Sequence, residues 1–177
     1  PDDDTLGRSR HQVRFEHRTL CDNGWRNRIN LREVSDSQYF EDLGGSLSIS
    51  SITHLDRHIR FDYHADRWSL FAQAQDFQTI DDTILPEDDP YRRLPQVLLN
   101  GSWPVSVFQL GIDTELVNFD RDTGVTGWRL NAAPSIAIPF ERPGWFFKPA
   151  VAVDYTQYEL SNTLPDEATN PSRTVPI

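Results

Sequence analysis

Hydrophobic and polar residues alternate with a period of two along most of this chain. Such a period predicts β-strands, because amphipathic helices repeat every 3.6 residues instead. The pattern is clear after residue 126, where Trp128, Leu130 and Ile136 fall on one side and Arg129 and Asn131 on the other. Read in this way, the chain predicts an all-β fold of about eight antiparallel strands, near residues 10–20, 25–35, 53–64, 67–79, 91–103, 105–118, 126–140 and 145–159.

The predicted strands are long, and the connections between them alternate in length. Strands of soluble proteins average about 5 to 6 residues, whereas a tilted strand that crosses a membrane needs about 9 to 11. Tight connections are CDNG, HADR, the Trp103-Pro104 junction and ERPG, whereas VSDSQYFEDLGGSLSISSI, IDDTILPEDDP, DRDTG and the tail after Glu159 are generally longer and polar. Short turns at one end and long loops at the other are typical of outer-membrane β-barrels, so we predict antiparallel transmembrane strands with the tight turns in the periplasm.

Aromatic residues at the tight turns favour the same interpretation. Tryptophans at 25, 68, 103 and 145 lie where the aromatic belt of a membrane barrel is expected. With a hairpin turn at Trp103-Pro104, the alternation places one set of side chains towards lipid, namely Val97, Leu99, Phe108, Leu110 and Ile112. It places a second set towards the barrel lumen, namely Gln96, Asn100, Gln109, Asp113 and Glu115. The alternative is that each tryptophan packs in the core of a soluble β-protein.

Composition excludes some classes of protein. The mean hydropathy is -0.57 and no apolar run approaches the length of a membrane-spanning helix, but a barrel is compatible with these values because only alternate residues face lipid. The net charge of -10 argues against nucleic acid as a partner. The single Cys21 allows no internal disulfide and no zinc site, and PDDDTLGRSR at the start is not a secretion signal.

The predicted orientation has a consequence for the two ends of the chain. If the tight turns are periplasmic, both ends lie outside the cell, whereas a complete barrel begins and ends in the periplasm and pairs its first strand with its last. The C-terminal PSRTVPI also lacks the aromatic-ended final strand common in such barrels. We therefore expect residues 1–177 to form a single region from the middle of a larger barrel.

Three stretches of the sequence resemble a known family. They are WRNRINLREVSDSQYFEDLG, YRRLPQVLLNGSWP and TGWRLNAAPSIAIPFERPGWFFKPAVAVDYTQYEL. Together they resemble the LptD family of lipopolysaccharide-assembly outer-membrane proteins, also called the organic solvent tolerance family. The similarity covers most of residues 10 to 160, and VSDSQYFEDL, RLPQV and IPFERPGWFFKPAV carry it in this order and spacing.

The resemblance implies a location and several partners. Members of this family form a large barrel of 26 strands in the Gram-negative outer membrane, with an N-terminal periplasmic β-jellyroll domain that connects to the periplasmic Lpt bridge. A plug lipoprotein of the LptE type fills the barrel, and lipopolysaccharide is inserted into the outer leaflet. The resemblance covers only the middle of that barrel, so no gate residue and no disulfide of the family is carried over to this chain.

Basic residues cluster at the predicted lumen-facing positions of the first three strands. They are Arg14, Arg18, Arg26, Arg28, Arg32 and Arg60, with His58 and His64 beside them. Guanidinium groups bind phosphate through forked, charge-assisted hydrogen bonds, so these arginines are candidates for contact with lipopolysaccharide or the plug. The alternative is that they pair with lumenal acids such as Glu16, Asp62, Asp113 and Glu115 and only stabilise a wet interior.

Prolines at 95, 134 and 149 lie inside predicted strands. Each removes a backbone donor where lipid offers no replacement, so they count against membrane strands when taken alone. We expect a bulge, or a lumen-side water or side chain, to satisfy each carbonyl left without its donor. In the connection after Val34 we expect Tyr39 and Phe40 to pack while Asp36 and Ser37 hold a turn.

Other functions are less well supported by the sequence. Five histidines, at 11, 17, 54, 58 and 64, with Ser69 or Ser106 raise the possibility of a hydrolase, but no GxSxG or HExxH motif occurs, so we predict no catalytic residues. The PEDDP loop has oxygen ligands for Ca²⁺ without the spacing of a defined loop, so we predict no metal and no cofactor. The remaining alternatives are a soluble lipocalin-like barrel and a self-contained eight-stranded outer-membrane barrel acting as a pore or in lipid handling.

Overall fold

The computed structural model describes residues 2–3, 8–43 and 52–176. Nine strands form one antiparallel sheet, and four short strands form two separate two-stranded sheets. In chain order the strands are β1 (Asp2–Asp3), β2 (Arg8–Ser9), β3 (Gln12–Leu20), β4 (Trp25–Val34), β5 (His54–His64), β6 (Trp68–Thr79), β7 (Arg92–Val105), β8 (Phe108–Asp120), β9 (Thr126–Ala137), β10 (Phe140–Arg142), β11 (Trp145–Phe147), β12 (Ala150–Ser161) and β13 (Ser172–Pro176). A five-residue helix, α1 (Tyr39–Leu43), follows β4.

The nine-stranded sheet is an open meander. Its order is β3-β4-β5-β6-β7-β8-β9-β12-β13, so each strand pairs with its neighbour along the chain, apart from the inserted β10-β11 hairpin. The prediction of an all-β antiparallel sheet is confirmed. Within the described residues the sheet does not close, since β3 pairs only with β4, and β12 pairs with β9 and β13. A self-contained eight-stranded barrel required strands 10–20 and 145–159 to pair, and they do not.

The sheet has two chemically different faces, because residues directly opposite in register share a face and successive residues alternate. We call one the apolar face; it carries Trp25, Ile29, Leu31, Ile59, Phe61, Tyr63, Leu70, Ala72, Ala74, Val97, Leu99, Leu110, Ile112, Leu116, Leu130, Ile136, Val151 and Val153. The other, the polar face, carries Arg28, Arg60, Gln73, Gln96, Asn100, Asp113, Glu115, Arg129, Asn131 and Thr156. The predicted division of residues between two faces is confirmed.

Large hydrophobic side chains on the apolar face are exposed, not packed into a sealed core. Leu110 is 39% exposed and Ile136 42% exposed, and Phe61, Leu116 and Leu130 are exposed in the same way. On the polar face, by contrast, the side chains of Gln73 and Gln75 are buried. A soluble lipocalin-like barrel would bury its apolar face instead, so this distribution of exposure contradicts that alternative.

The hairpin turn between β7 and β8 lies further along the chain than predicted. Trp103 and Pro104 both belong to β7, opposite Leu110 and Gln109, and the turn consists of the two residues after Val105. Ser106 there has a φ of 57°, a positive value that two-residue hairpin turns require. The predicted turn at Trp103-Pro104 was therefore wrong. Pro104 remains paired within the β7-β8 ladder, and the indole of Trp103 lies on the apolar face.

Two other predicted strands are each divided in the structure. β9 ends at Ala137, before Ile138 and Pro139, and β12 begins at Ala150, after Pro149. Between them β10 and β11 form a separate hairpin, in which Phe140 lies opposite Phe147, and Ile138 N donates to Pro149 O (3.0 Å). The predicted strands 126–140 and 145–159 are therefore each interrupted, because Pro139 and Pro149 remove backbone donors at neighbouring levels of the two strands.

The other two prolines are accommodated differently. At Pro95 the expected bulge is found, since the register of β7 shifts between Arg93 and Gln96 and Asn118 Nδ2 donates to Leu94 O (3.0 Å). Pro134 lies opposite Ile112 in an unshifted register, so the bulge expected there is absent. The β9-β12 ladder instead lacks its pairings between Ala132 and Ser135 without a change of register.

The C-terminal tail and the long connection after Val34 were predicted as loops, and the structure describes only part of each. β13 forms from residues placed in the C-terminal tail, and it extends the sheet beyond β12. Residues 44–51 of the predicted long connection after Val34, and residues 1, 4–7 and 177 near the termini, lie outside the described residues. In the described part of that connection, Phe40 of α1 is buried with Val34, Leu55 and Ile80, and Tyr39 packs against them, as expected for these two aromatic side chains.

Candidate arginine site on the polar face

All six candidate arginines lie on the polar face of β3, β4 and β5. The register places Arg14 opposite Arg32, and Arg18 opposite Arg28, which is in turn opposite Arg60. Arg26 is opposite Asp62. The alternation in the sequence predicted that these side chains share one face of the sheet. It did not show that arginines lie opposite arginines on neighbouring strands.

The three aligned residues Arg18, Arg28 and Arg60, which we call the arginine row, carry like charges directly opposite one another. Such pairs destabilise a sheet when nothing compensates them. Arg60 Nε donates to Gln73 Oε1 (2.8 Å), a neutral partner, and its guanidinium lies 6.0 Å from the Phe71 ring centroid. Within the part of the chain that the structure describes, Arg18 and Arg28 form no side-chain hydrogen bond or ion pair. The row is therefore a concentrated positive charge without a neutralising carboxylate.

Arg14 and Arg32 differ from the arginine row, because the carboxylate of Glu16 lies between their guanidinium groups. Glu16 Oε1 accepts from Arg14 Nη2 at 2.9 Å and from Arg32 Nη2 at 2.8 Å. Arg26 Nη2 lies 3.3 Å from His64 Nδ1. The alternative that the arginines pair with lumenal acids thus describes Arg14 and Arg32 and does not describe the arginine row.

Beyond the arginine row the polar face continues as a hydrogen-bonded chain of neutral and charged groups. Gln73 Nε2 donates to Gln96 Oε1 (2.5 Å), Gln96 Nε2 donates to Glu115 Oε1 (2.5 Å), and Glu115 forms an ion pair with Arg129. Sequence reasoning placed Gln96 and Glu115 on this face but did not find their connection. The signal was present, because polar residues recur at alternate positions of four neighbouring strands.

An aromatic cluster covers the apolar face near the tight turns. The ring centroids of Trp25 and Tyr63 are 4.7 Å apart, and those of Tyr63 and Trp68 are 4.8 Å apart. Trp103 packs over Gly101, the residue opposite Trp68. Tyr63 was missed as a member of this cluster, although its parity with Phe61 and Ile59 identifies the face. Aromatic side chains of this kind are enriched at membrane interfaces.

The groups considered for catalysis or metal binding are not assembled. His64 lies opposite Ser69 in register, but no hydrogen bond joins them in the described structure, and Ser106 lies in a turn. In residues 8–43 and 52–176 no group of three or more His, Cys, Asp or Glu side chains could hold a metal ion.

In the long connection after β6, hydrogen bonds from the Thr83 hydroxyl and backbone N–H lower the pKa of Asp81, consistent with a turn-stabilising role. No helix in the described ranges is long and apolar enough to span a membrane.

Comparison with known proteins identifies the family. A family model described as LPS transport system D matches residues 8–177. Similar proteins named LPS-assembly protein LptD include those of Nitrosococcus oceani (41% identical, 86% of this chain and 21% of the relative), Aromatoleum aromaticum (36%, 100% and 22%) and Bordetella pertussis (34%, 100% and 24%). The chain thus spans about a fifth to a quarter of the length of these relatives. The sheet is antiparallel and has two chemically different faces, and the family similarity covers nearly the whole chain. The chain therefore belongs to the LPS transport system D family, whose members are outer-membrane β-barrels.

Proposed function

We propose that this chain is a wall segment of an outer-membrane translocon that assembles lipopolysaccharide into the outer leaflet of Gram-negative bacteria. The apolar face contacts lipid and the polar face lines a hydrophilic lumen. The role is one of transport and assembly, without catalysis. The observation that carries the proposal is the exposure of large hydrophobic side chains along the apolar face, among them Phe61, Leu110 and Ile136, on a sheet whose polar face is hydrogen-bonded and partly buried.

The dimensions of the sheet support a membrane location. On β8 the apolar face runs from Phe108 to Leu116, which is about 26 Å along the strand at about 3.3 Å per residue. With the usual barrel tilt of about 35–45°, this length rises about 19 to 22 Å across the membrane, somewhat less than the apolar band of about 25 Å that is typical of such barrels. The aromatic cluster of Trp25, Tyr63 and Trp68 then lies at the periplasmic interface, and the longer connections face the outside of the cell.

The open sheet supports a place within a larger barrel. Both edge strands, β3 and β13, have one side without a strand partner among the described residues, and lipid cannot satisfy the backbone groups of an open edge. Further strands of the complete protein would pair with these edges. We propose that an LptE-type plug lipoprotein lies against the polar face, and that the periplasmic Lpt bridge delivers lipopolysaccharide through another domain.

The arginine row is the proposed contact for the anionic part of the cargo. Arg18 and Arg28 have no carboxylate partner in the described structure, and Arg60 has a neutral one. Phosphate groups accept forked hydrogen bonds from guanidinium groups and would relieve the repulsion within the row. Arg14, Arg32 and Arg26 are proposed contacts of lower priority, because Glu16 and His64 already engage them.

Charge reversal in the complete protein tests this function. The Arg18→Glu/Arg28→Glu variant is expected to reduce lipopolysaccharide at the cell surface, measured by labelling of intact cells, while the barrel still migrates as a folded species in unheated gels. Arg14→Glu, on the same strand and face, is expected to have a smaller effect than the double variant, because Arg14 is already paired with Glu16. Normal surface lipopolysaccharide in the double variant would refute the role of the row.

A further inference from the structure

A second charged site lies on the opposite side of the wall from the arginine row. The β6-β7 ladder ends at Gln75 opposite Arg93, although β6 continues to Thr79. The separating chains leave a cleft of about 370 Å³ at the end of the sheet that carries the long connections. Its charged lining residues are Arg57, Asp76, Asp89, Arg92, Arg121 and Asp122.

The central residues of the cleft have the parity of the apolar face. Arg57 lies opposite Asp76, and Arg92 lies opposite Asp120. One step towards the tight turns, the same face carries Ile59 opposite Ala74. The apolar side chains therefore end at the level of Arg57 and Asp76, and these charged side chains lie on the same side of the sheet as the apolar face.

Two guanidinium groups in the cleft have unused donors. Arg57 Nη2 donates to Asp76 (2.7 Å), and Arg92 Nη2 donates to Asp120 (2.8 Å) and Asp122 (2.6 Å). The Nε atoms of both arginines are shielded from solvent and have no hydrogen-bond acceptor within the described residues. A guanidinium group has five N–H donors, and these ion pairs involve only Nη2 of each arginine, so both groups keep Nη1 donors for a ligand that brings acceptor oxygens.

The other side of the cleft is held in place by the connection after β6. Arg121 Nη1 donates to the carbonyl oxygens of Glu87 and Asp89, and its guanidinium lies 4.3 Å from the Tyr91 ring centroid. Asp89 Oδ1 accepts from Thr79 Oγ1 (2.5 Å). The cleft is therefore built from fixed side chains, with carboxylate acceptors beside guanidinium donors.

This mixture of groups indicates the class of ligand. A bare anion would meet the carboxylates of Asp76, Asp89 and Asp122 as repulsive neighbours, and a bare cation would meet three arginines. A phosphorylated saccharide offers phosphate and ring oxygens to the guanidinium donors and hydroxyl donors to the carboxylates. We propose that the cleft binds the phosphorylated saccharide headgroup of a lipopolysaccharide molecule already standing in the outer leaflet, on the lipid side of the barrel wall.

The proposal rests on the proposed function, because that function places the long connections outside the cell and the apolar face in lipid. The acyl chains of the bound molecule would lie along Ile59, Phe61 and Ala72, directly below the cleft. Such a site holds lipid at the outer surface and is separate from the polar face along which cargo would pass.

Photo-crosslinking in the complete protein tests the site. A benzophenone side chain at Ile59 is expected to capture lipopolysaccharide, whereas the same group at Leu110, near the tight turns, is expected to capture phospholipid. In the Arg57→Gln/Asp76→Asn/Arg92→Gln variant, capture at Ile59 is expected to fall about tenfold, the change expected for loss of the charge-assisted hydrogen bonds. Arg67→Gln, in the turn at the other end of the β5-β6 hairpin, is the matched control with unchanged capture.

Further arms define the ligand and guard against misfolding. Dephosphorylated lipopolysaccharide in reconstituted vesicles is expected to give the low capture of the triple variant, and free phosphorylated core oligosaccharide is expected not to compete. If the triple variant fails to fold, Arg57→Lys/Arg92→Lys keeps the charges but loses Nε, and it is expected to reduce capture too. Capture at Ile59 that is the same in all variants would overturn the cleft and leave the proposed function intact. Lipopolysaccharide captured at Leu110 instead of Ile59 would overturn the orientation, and with it the proposed function.

Discussion

The indole ring of Trp103 lies over the Cα atom of Gly101, in the space that a Cβ atom at position 101 would occupy. Because Gly101 is opposite Trp68, the Trp103 ring covers the position across from Trp68 on the apolar face. A glycine in a strand often marks such a close approach by another group.

We predict that Gly101→Ala destabilises the barrel, because the added methyl group displaces the Trp103 ring from its packed position. The expected cost is about 1 to 3 kcal/mol, the usual range for overpacking. Urea unfolding of the complete protein in lipid vesicles measures it. In a Trp103→Leu background the same substitution is expected to cost much less, and equal costs in both backgrounds would contradict the contact.

We predict a second glycine effect at Gly127, which has a φ of 146° in β9. A Cβ atom there would collide with the backbone carbonyl oxygen of Glu159, which cannot move without disturbing the β9-β12 ladder. Gly127→Ala is therefore expected to reduce thermal stability. Gly144→Ala is the control, because Gly144 also has a positive φ of 90° but open space around its Cα. A larger loss of stability at Gly144 than at Gly127 would contradict this account.

The hydrogen-bonded chain on the polar face gives a third prediction. Gln96→Leu removes one acceptor of Gln73 and one donor to Glu115, while Gln73 keeps Gln75 and Glu115 keeps Arg129. Loss of these two hydrogen bonds is expected to lower the unfolding free energy by about 1 to 3 kcal/mol in total. Gln12→Leu, at an exposed position of the edge strand β3, is expected to have little effect. Equal stabilities of the two variants would show that the chain contributes nothing.

The segment after β4 supplies a fourth prediction. The buried Arg10 forms ion pairs with Asp36 (2.7 Å) and Asp42 (2.8 Å), and Asp36 is itself only 5% exposed. Arg10→Gln removes a buried counter-charge from Asp36, and loss of one partner of a buried ion pair costs up to about 3 to 5 kcal/mol. Residues 35–43 are then expected to become sensitive to added protease on intact cells. Asp42→Asn is the control, since Asp42 is 51% exposed, and protection of the Arg10 variant would refute the role of this pair.

The alternation of residue types predicted the sheet well because face identity depends only on parity. Leu110, Ile112 and Leu130 on one face, and Arg28 and Glu115 on the other, follow from counting in twos along each strand. Strand ends were harder to predict, since parity says nothing about where a ladder stops. The break at Pro139 and Pro149 depends on two prolines from different strands lying at neighbouring levels, and only the register shows that they do.

The candidate site was predicted in composition but not in arrangement. Six arginines on one face followed from the sequence, whereas the register decides that Arg28 lies between Arg18 and Arg60 while Glu16 lies within reach of Arg14 and Arg32. The outward cleft was missed because its charges come from three strands and two connections. Arg57 and Asp76 mark the upper limit of the apolar face, which only the register shows.

The uneven placement of charge on the polar face gives the wall a sideways electric field. On β3, β4 and β5 the six arginines outnumber Glu16, Asp56 and Asp62, whereas across β8, β9 and β12 the acids Asp113, Glu115 and Asp154 face Arg129 alone. An anionic solute beside this wall is drawn around its circumference as well as along its axis, towards the strands at the β3 edge. The polar face therefore attracts anionic groups more strongly on its β3 side than on its β12 side.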